Sequence, residues 1–284
     1  MSGTLYLCAT PIGNLEDMTF RVVRTLKEVD IIAAEDTRNT IKLLNHFEIK
    51  TPMTSYHEFN KYEKADYLIR RLIEGENVAV VTDAGTPGIS DPGEVLVQKA
   101  HEAGVTVTSL PGASACITAL TMSGRETRRF CFEAFLPTDK KERRAILDEL
   151  KEETRTTIVY EAPHRLLKTV EELLQELGDR KVTLCRELTK RHETTVLTTL
   201  SGLLQLYEEQ LPKGECVLVI EGASREEKIK REQEAFLAIS FTEHMNQYVI
   251  QGHSKKDAMK LVAKDRGISK RDVYQKLLEE EEKS

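Results

Sequence analysis

Apolar positions recur along the chain in two alternating rhythms. Short continuous apolar runs at 4–9, 30–34, 78–82 and 105–110 read as buried strands. Each is followed by apolar residues three or four apart, the period of a helix packed by one face. Helices are predicted this way over 39–47, 61–74 and 94–103, and another opens after Ser114. A further helix between the first two strands is expected to bury Phe20, Val23 and Leu26. Strand and helix in alternation predict a mostly parallel sheet covered by helices. The pattern changes after residue 124. Strands are predicted at 130–135, 156–161, 181–187 and 215–221, with helices at 140–152, 163–177 and 200–210, which describes a second α/β domain. The expected division is 1–118, 119–224 and a helical extension, 225–284.

That extension is rich in charge from Ala223 onward. Near its end, Ser254-x-x-Asp257 and Ser269-x-x-Asp272 both have the form of a capping box. Arg266-Gly267-Ile268 between them supplies a helix stop and a tight turn. A small helix-turn-helix-like hairpin is expected there.

Composition narrows the class without naming a function. With 284 residues, 40% hydrophobic and 31% charged, the chain is an ordinary globular protein. Its net charge of −6 argues against a wholly basic nucleic-acid coat, yet leaves room for a local basic face. Five scattered cysteines at 8, 116, 131, 185 and 216 show no C-x-x-C spacing and read as reduced core thiols. No stretch approaches a membrane span, and the N-terminus lacks a basic, apolar leader, so a cytoplasmic protein is expected.

Chemistry is concentrated at strand ends. Residues 83–93, DAGTPGISDPG, follow an apolar strand directly and combine three glycines, two prolines and two aspartates. Ligands of parallel α/β sheets bind beyond the carboxyl ends of strands, where glycine lets backbone groups approach them. The bland alternative is an exposed turn punctuated by Pro and Gly. Three other segments end strands of the same sheet: Thr10-Pro11-Ile12-Gly13-Asn14, Glu35-Asp36-Thr37-Arg38 and Pro111-Gly112-Ala113-Ser114. Asp36 and Arg38 also read as a helix cap with a local ion pair. In the second half, Tyr160–Arg165 and Cys185–Leu188 end strands with clustered charge. No G-x-G-x-x-G or P-loop is present, which disfavours NAD enzymes and P-loop NTPases. No G-x-S-x-G elbow or metal-ligand His spacing appears, so a hydrolase triad and a metal site are not expected.

Two stretches suit phosphate contacts. Residues 125–144 carry a net charge of +3, and 253–276 carry +5. Solvated helix faces are the alternative. The RNA-contact candidates are Arg128, Arg129, Lys140, Lys141, Arg143, Arg144, Lys255, Lys256, Lys270 and Arg271.

Taken together, ATPIGNLEDMTFR (9–21), AEDTR (34–38), SYHEFN (55–60), DAGTPGISDPG (83–93), LPGASA (110–115) and YEAPHR (160–165) resemble the ribosomal RNA small subunit methyltransferase I family. The resemblance implies a tetrapyrrole-methylase-like fold of two α/β domains with S-adenosylmethionine in the cleft between them, as a homodimer. It also implies 2′-O-methylation of a cytidine ribose in the decoding region of 16S rRNA, on naked RNA or the small ribosomal subunit. The cofactor positions that carry over are Pro11, Asp83, Ala84, Gly85, Ile89, Ser90, Ser114 and Ala115, with Phe135 and Glu187 as second-domain strand ends. Asp36 or Glu187 is expected to accept the ribose proton, and Arg38 or Arg186 to hold phosphate or alkoxide. Two alternatives remain: a small-molecule methyltransferase of the same fold, since fold alone does not choose substrate, and a non-enzymatic nucleic-acid-binding protein using the terminal hairpin.

Overall fold

The computed structural model describes residues 2–209, 212–226, 236 and 239–281. They form two compact units, one of residues 1–147 and 155–221, the other of 148–154 and 222–284. No helix among the described residues is long and apolar enough to cross a membrane.

The first unit contains two five-stranded sheets. The N-terminal sheet holds β1 (Thr4–Cys8), β2 (Ile31–Ala34), β3 (Met53–Ser55), β4 (Val78–Val81) and β5 (Thr106–Leu110) in the order β3-β2-β4-β1-β5. All its pairings are parallel. Side chains alternate between its faces, as the pleat requires. Leu5, Leu7, Ile31, Ala33, Val78 and Val80 face one way, against Leu68 and Leu72 of α3 (Lys61–Ile73) and Leu96 and Ala100 of α4 (Gly93–Glu102). Cys8, Ile32, Ala34, Ala79 and Val81 face the other way, against Val22 and Leu26 of α1 (Phe20–Glu28) and Leu44 of α2 (Thr37–His46). Both faces are covered, which is why these strands read as continuous apolar runs. The buried face of α1 is Val22, Thr25 and Leu26; Phe20, expected inside, is 96% exposed.

Connections leave β1 and β4 in opposite directions, β1 toward β2 and β4 toward β5. The two connections pass each other on opposite faces of the sheet, α1 covering one and α4 the other, and a crevice opens at the carboxyl ends of such strands.

The second sheet is mixed, in the order β6-β7-β10-β8-β9. It comprises β6 (Phe130–Phe135), β7 (Thr156–Glu161), β8 (Lys181–Arg186), β9 (Thr194–Thr199) and β10 (Cys216–Ile220). α5 (Ala115–Met122) packs Cys116, Ala119 and Leu120 onto Ile158, Cys185, Val217 and Val219 of this sheet. α6 (Lys140–Glu152), α7 (Leu166–Leu177) and α8 (Leu200–Leu206) complete the order up to β10. The helix expected over 200–210 ends at Leu206, and residue 210 lies outside the described residues. β3 and β9 were not anticipated by the apolar pattern.

In the second unit, α9 (Phe241–Ile250), α10 (Lys255–Asp265) and α11 (Lys270–Glu281) share a core of Met245, Ala258, Val262, Ala263 and Val273. The expected hairpin is therefore two of three packed helices. The charge-rich helix expected from Ala223 falls partly on 227–235, outside the described residues. The Ser269 capping box forms in both directions, and Ser254 caps its helix with its hydroxyl donating to Asp257 Oδ2. Asp257 N donates to Ser254 Oγ, and Asp272 N to Ser269 Oγ, each at 3.2 Å. Ser269 N donates back to Asp272 Oδ2 at 3.1 Å. Gly267, at φ +64°, ends α10 with Ile268 N donating to Ala263 O and Gly267 N to Lys264 O. Ser269→Ala is expected to cost about 1 kcal/mol of this unit's stability, read as a lower denaturation midpoint beside an unchanged first unit.

Candidate active site

Three strand-end loops of the N-terminal sheet lock together at the β1/β4 crevice. Thr10 and Gly85 exchange backbone bonds: Thr10 N donates to Gly85 O at 2.9 Å and Gly85 N to Thr10 O at 3.1 Å. Thr86 Oγ1 donates to Ala113 O at 2.9 Å. A Cβ on Gly112 would lie 2.5 Å from Ala9 Cβ, so glycine is what lets the third loop cross the first. Within 83–93, the Asp91 carboxylate accepts from Gly88 N, Ile89 N and Gly93 N. The loop is thus held internally with Gly85 and Gly88 at positive φ, a conformation glycine adopts without strain. A free turn needs no such scaffold.

A cavity of about 340 Å³ opens where these loops face the second sheet. Its near wall is Ile12, Ala84, Gly85, Thr86, Ile89, Ser114 and Ala115; its far wall includes Phe135, Tyr160, Glu161, Ala162, Leu188 and Val217. Six of the expected cofactor positions therefore share one cavity. Phe135 is delivered by a bulge in β6, where Ala134 takes φ +50°, and its ring meets Tyr160 edge-on at 5.7 Å between centroids. Burial pushes the Tyr160 hydroxyl well above its ordinary pKa.

Glu161 closes the far wall with a side chain that is 0% exposed. Ala162 N donates to its Oε1 at 2.9 Å, Thr169 Oγ1 to its Oε2 at 2.6 Å, and Arg165 Nε lies 3.1 Å from Oε1. The same Arg165 donates to Leu136 O. A buried carboxylate is tolerated because each oxygen is paired.

Pro11 and Asp83 line a neighbouring cavity of about 280 Å³ with Thr10, Gly13, Leu15, Asn39, Lys42 and Thr82. Ser90 lines neither cavity; it is an exposed loop residue at φ +61°. Asp83 Oδ2 accepts from Asn39 Nδ2 at 3.4 Å, and Asp83 N donates to Glu35 Oε2. Partial burial, and then the Glu35 carboxylate, push the Asp83 carboxyl above its ordinary range.

The four expected catalytic residues fall into two separate clusters. Asp36 caps α2 by accepting from Arg38 N, and Arg38 Nε and Nη2 bind its two oxygens at 3.1 and 2.7 Å. Those bonds hold Asp36 down to about 2. Glu187, at φ +48°, accepts from Glu215 N at 2.9 Å and Lys190 Nζ at 3.0 Å; the backbone bond leads in lowering its pKa. Arg186 donates twice to Lys213 O and once to the Tyr207 hydroxyl. Arg186 and Glu187 line neither cavity. Gly13, which lines the Asp83 cavity, lies against the second cluster: a Cβ there would lie 2.5 Å from Lys190 Cγ.

Among the RNA candidates, Arg128, Arg129, Lys140, Lys141, Lys255, Lys256, Lys270 and Arg271 are exposed. Arg143 binds Glu172 and Thr169, and Arg144 binds Glu176, so both tie α6 to α7. The cavity is also lined by Ile12, Leu188 and Val217, whose apolar side chains read in the sequence as ordinary core. Glu161 stood inside YEAPHR but had no assigned role.

Residues 4–204 match the family model described as Tetrapyrrole (Corrin/Porphyrin) Methylases. Ribosomal RNA small subunit methyltransferase I of Halalkalibacterium halodurans is 51% identical over 96% of this chain and 93% of its own length. The protein of that name from Synechocystis is 46% identical over 98% of both chains. Among solved structures, diphthine synthase superposes with TM-score 0.58 at 15% identity, covering 77% of this chain and 90% of that one. Uroporphyrin-III C-methyl transferase from Thermus thermophilus, complexed with S-adenyl homocysteine, superposes with TM-score 0.53 at 19% identity, covering 76% and 97%. Two sheets joined at a loop-built crevice, a family match over most of the chain and full-length relatives at this identity lead to one conclusion: the chain belongs to the tetrapyrrole methylases and, within them, to the ribosomal RNA small subunit methyltransferase I family.

Proposed function

We propose that this protein transfers a methyl group from S-adenosylmethionine to the 2′-oxygen of a cytidine ribose in the decoding region of 16S rRNA. The observation that carries the reading is the cavity at the β1/β4 crevice, shared by Ala84, Gly85, Ile89, Ser114, Ala115 and Phe135, in a chain whose relatives are named as ribosomal RNA methyltransferases.

The donor set fits such a cofactor. The volume falls within the range of small-molecule sites. Phe135 and Tyr160 offer aromatic faces suited to an adenine, while Ser114 and the backbone of 84–86 offer polar contacts suited to the amino-acid part. When bound, the cofactor supplies an electrophilic methyl carbon on a sulfonium. Everything else falls to the chain. Orienting two reactants supplies roughly 7–11 kcal/mol of a barrier, and the hydrogen-bonded loops at the crevice are the elements placed to orient them. Asp83 is the carboxylate best suited to accept the ribose proton. Its pKa is raised, whereas Asp36 and Glu187 are held down by their partners and make weak bases. Asn39 aims Asp83, and Arg38, 88% exposed, is available to a phosphate while Asp36 orients it.

Gly85→Val is expected to weaken cofactor binding at least tenfold by calorimetry. At φ +89° a branched side chain is strained, and its Cβ would already lie 3.3 Å from Ile12 Cγ2. For the reaction itself, purified protein is incubated with methyl-labelled S-adenosylmethionine and small ribosomal subunits from a strain lacking this gene. Label in 16S rRNA, with substrate binding that weakens steeply with salt, is expected. Label accepted only by a small molecule would contradict the RNA reading and leave the fold untouched.

A further inference from the structure

The N-terminal sheet displays two phenylalanines in the open. Phe59 is 97% exposed and Phe20 96%. Neither belongs to a loose segment. Phe59 sits in the turn after β3, where His57 N donates to Asn60 Oδ1 at 2.8 Å and Asn60 N donates back to His57 O at 3.0 Å. The turn is anchored by Tyr56, whose N donates to Ala34 O and whose buried hydroxyl donates to Pro92 O at 2.7 Å. Phe20 opens α1, and Val22 N donates to the capping Thr19 Oγ1.

Both residues follow strands of one parallel sheet, so both stand at its carboxyl-end rim. Ala34 pairs with Ser55, which sends the Asp36–Arg38 turn and the Phe59 turn out side by side. In the order β3-β2-β4-β1, the strands preceding Phe59 and Phe20 are three steps apart, about 14 Å. The loops between them carry Asp36, Arg38 and Asp83. Sequence neighbours of each ring are polar: Glu58, Asn60 and Lys61 for one, Thr19 and Arg21 for the other. An interface with another protein core would present a contiguous apolar patch. The Phe59 ring meets the His57 ring edge-on at 6.1 Å between centroids and leaves its face open. Flat rings among polar and cationic groups, with Arg21, Arg38 and Lys42 exposed on the same rim, match a nucleotide, which has a base π-face and an anionic backbone.

Given an RNA substrate, as proposed above, we infer that Phe20 and Phe59 are stacking platforms for unpaired bases on either side of the target nucleotide. They hold the strand splayed across the rim while the target ribose enters between them, beside Asp83.

The chain has no tryptophan, so Phe59→Trp and Phe20→Trp each introduce a single emitter. Small ribosomal subunits, or a single-stranded oligoribonucleotide spanning the decoding region, are expected to quench both. Heparin, a polyanion without bases, is expected to quench neither. Phe20→Ala and Phe59→Ala should raise KM for subunits on the order of tenfold each, leaving cofactor affinity unchanged, and Trp at either position should restore KM. Absence of quenching at either position, with methyl transfer to subunits intact, would overturn the inference while sparing the RNA reading. Dissociation of a dimer in the Ala variants would also overturn it, by giving the rings to a second copy of the chain. Failure of the unaltered protein to label RNA at all would instead remove the reading on which it stands.

Discussion

Asp83→Asn is expected to reduce turnover by about 10²–10⁴ while leaving the fold and cofactor binding in place. The amide preserves the shape and can still face Asn39, but it cannot take a proton. Asp83 is active when deprotonated. The rate of the unaltered enzyme should therefore fall as pH is lowered through its raised pKa and reach a plateau above it. Because partial burial and Glu35 raise that pKa, the acidic limb is expected above the pH of about 3.9 at which an ordinary aspartate titrates. Glu35→Gln removes the like charge and should move the limb downward. Asp36→Asn should leave its position nearly unchanged, since Asp36 is a lesser cause of the shift, and should act through loss of the Arg38 clamp. Equal losses from Asp83→Asn and Asp36→Asn with no change in the pH profile would count against the assignment.

The second large effect is expected at Glu161. Its carboxylate satisfies Ala162 N, Thr169 Oγ1 and Arg165 at once. Glu161→Leu keeps the volume but strands a guanidinium and two donors. A loss of about 2–4 kcal/mol is expected, toward the low end for a broken buried pair because Arg165 keeps some solvent and Leu136 O. For a unit of this size that lowers Tm by roughly 5–15 °C. Glu161→Gln keeps an oxygen acceptor and should lose much less. Calorimetric unfolding of the three proteins separates this account from a purely catalytic role, which would leave Tm unmoved.

In the N-terminal sheet, β1, β2 and β4 were legible because they lie at its centre, covered on both faces, and carry few polar interruptions. β3 and β9 were not legible, for different reasons. Met53–Ser55 is three residues long behind a proline, too short for any period to register. Thr194–Thr199 is an edge strand of four threonines, a valine and a leucine, with Leu197 itself 60% exposed; an edge needs little apolar surface. In α1, two stripes overlap at Leu26. Residues 20, 23 and 26 fit a helical face as well as 22, 25 and 26 do, and only packing against the sheet decides between them.

The site divides in the same way. Loop segments dense in Gly, Pro and Asp announced where a ligand would sit, because that composition reflects backbone geometry needed locally. The division of Pro11 and Asp83 from Ala84 and Gly85 into two cavities depends on how β1 and β4 loops bridge, a contact 75 residues apart in sequence. Asp36 and Arg38 showed the ambiguity of charge at a strand end: the helix cap and the ion pair are both present.

The central claim is tested most directly by alkaline hydrolysis of 16S rRNA after reaction with the purified protein. Base cleaves RNA through the ribose 2′-oxygen, so a methyl group there blocks one rung of the ladder. A single gap at a cytidine of the decoding region, absent with Asp83→Asn, is the predicted result. A complete ladder with label on the base, or label in no RNA, would contradict it.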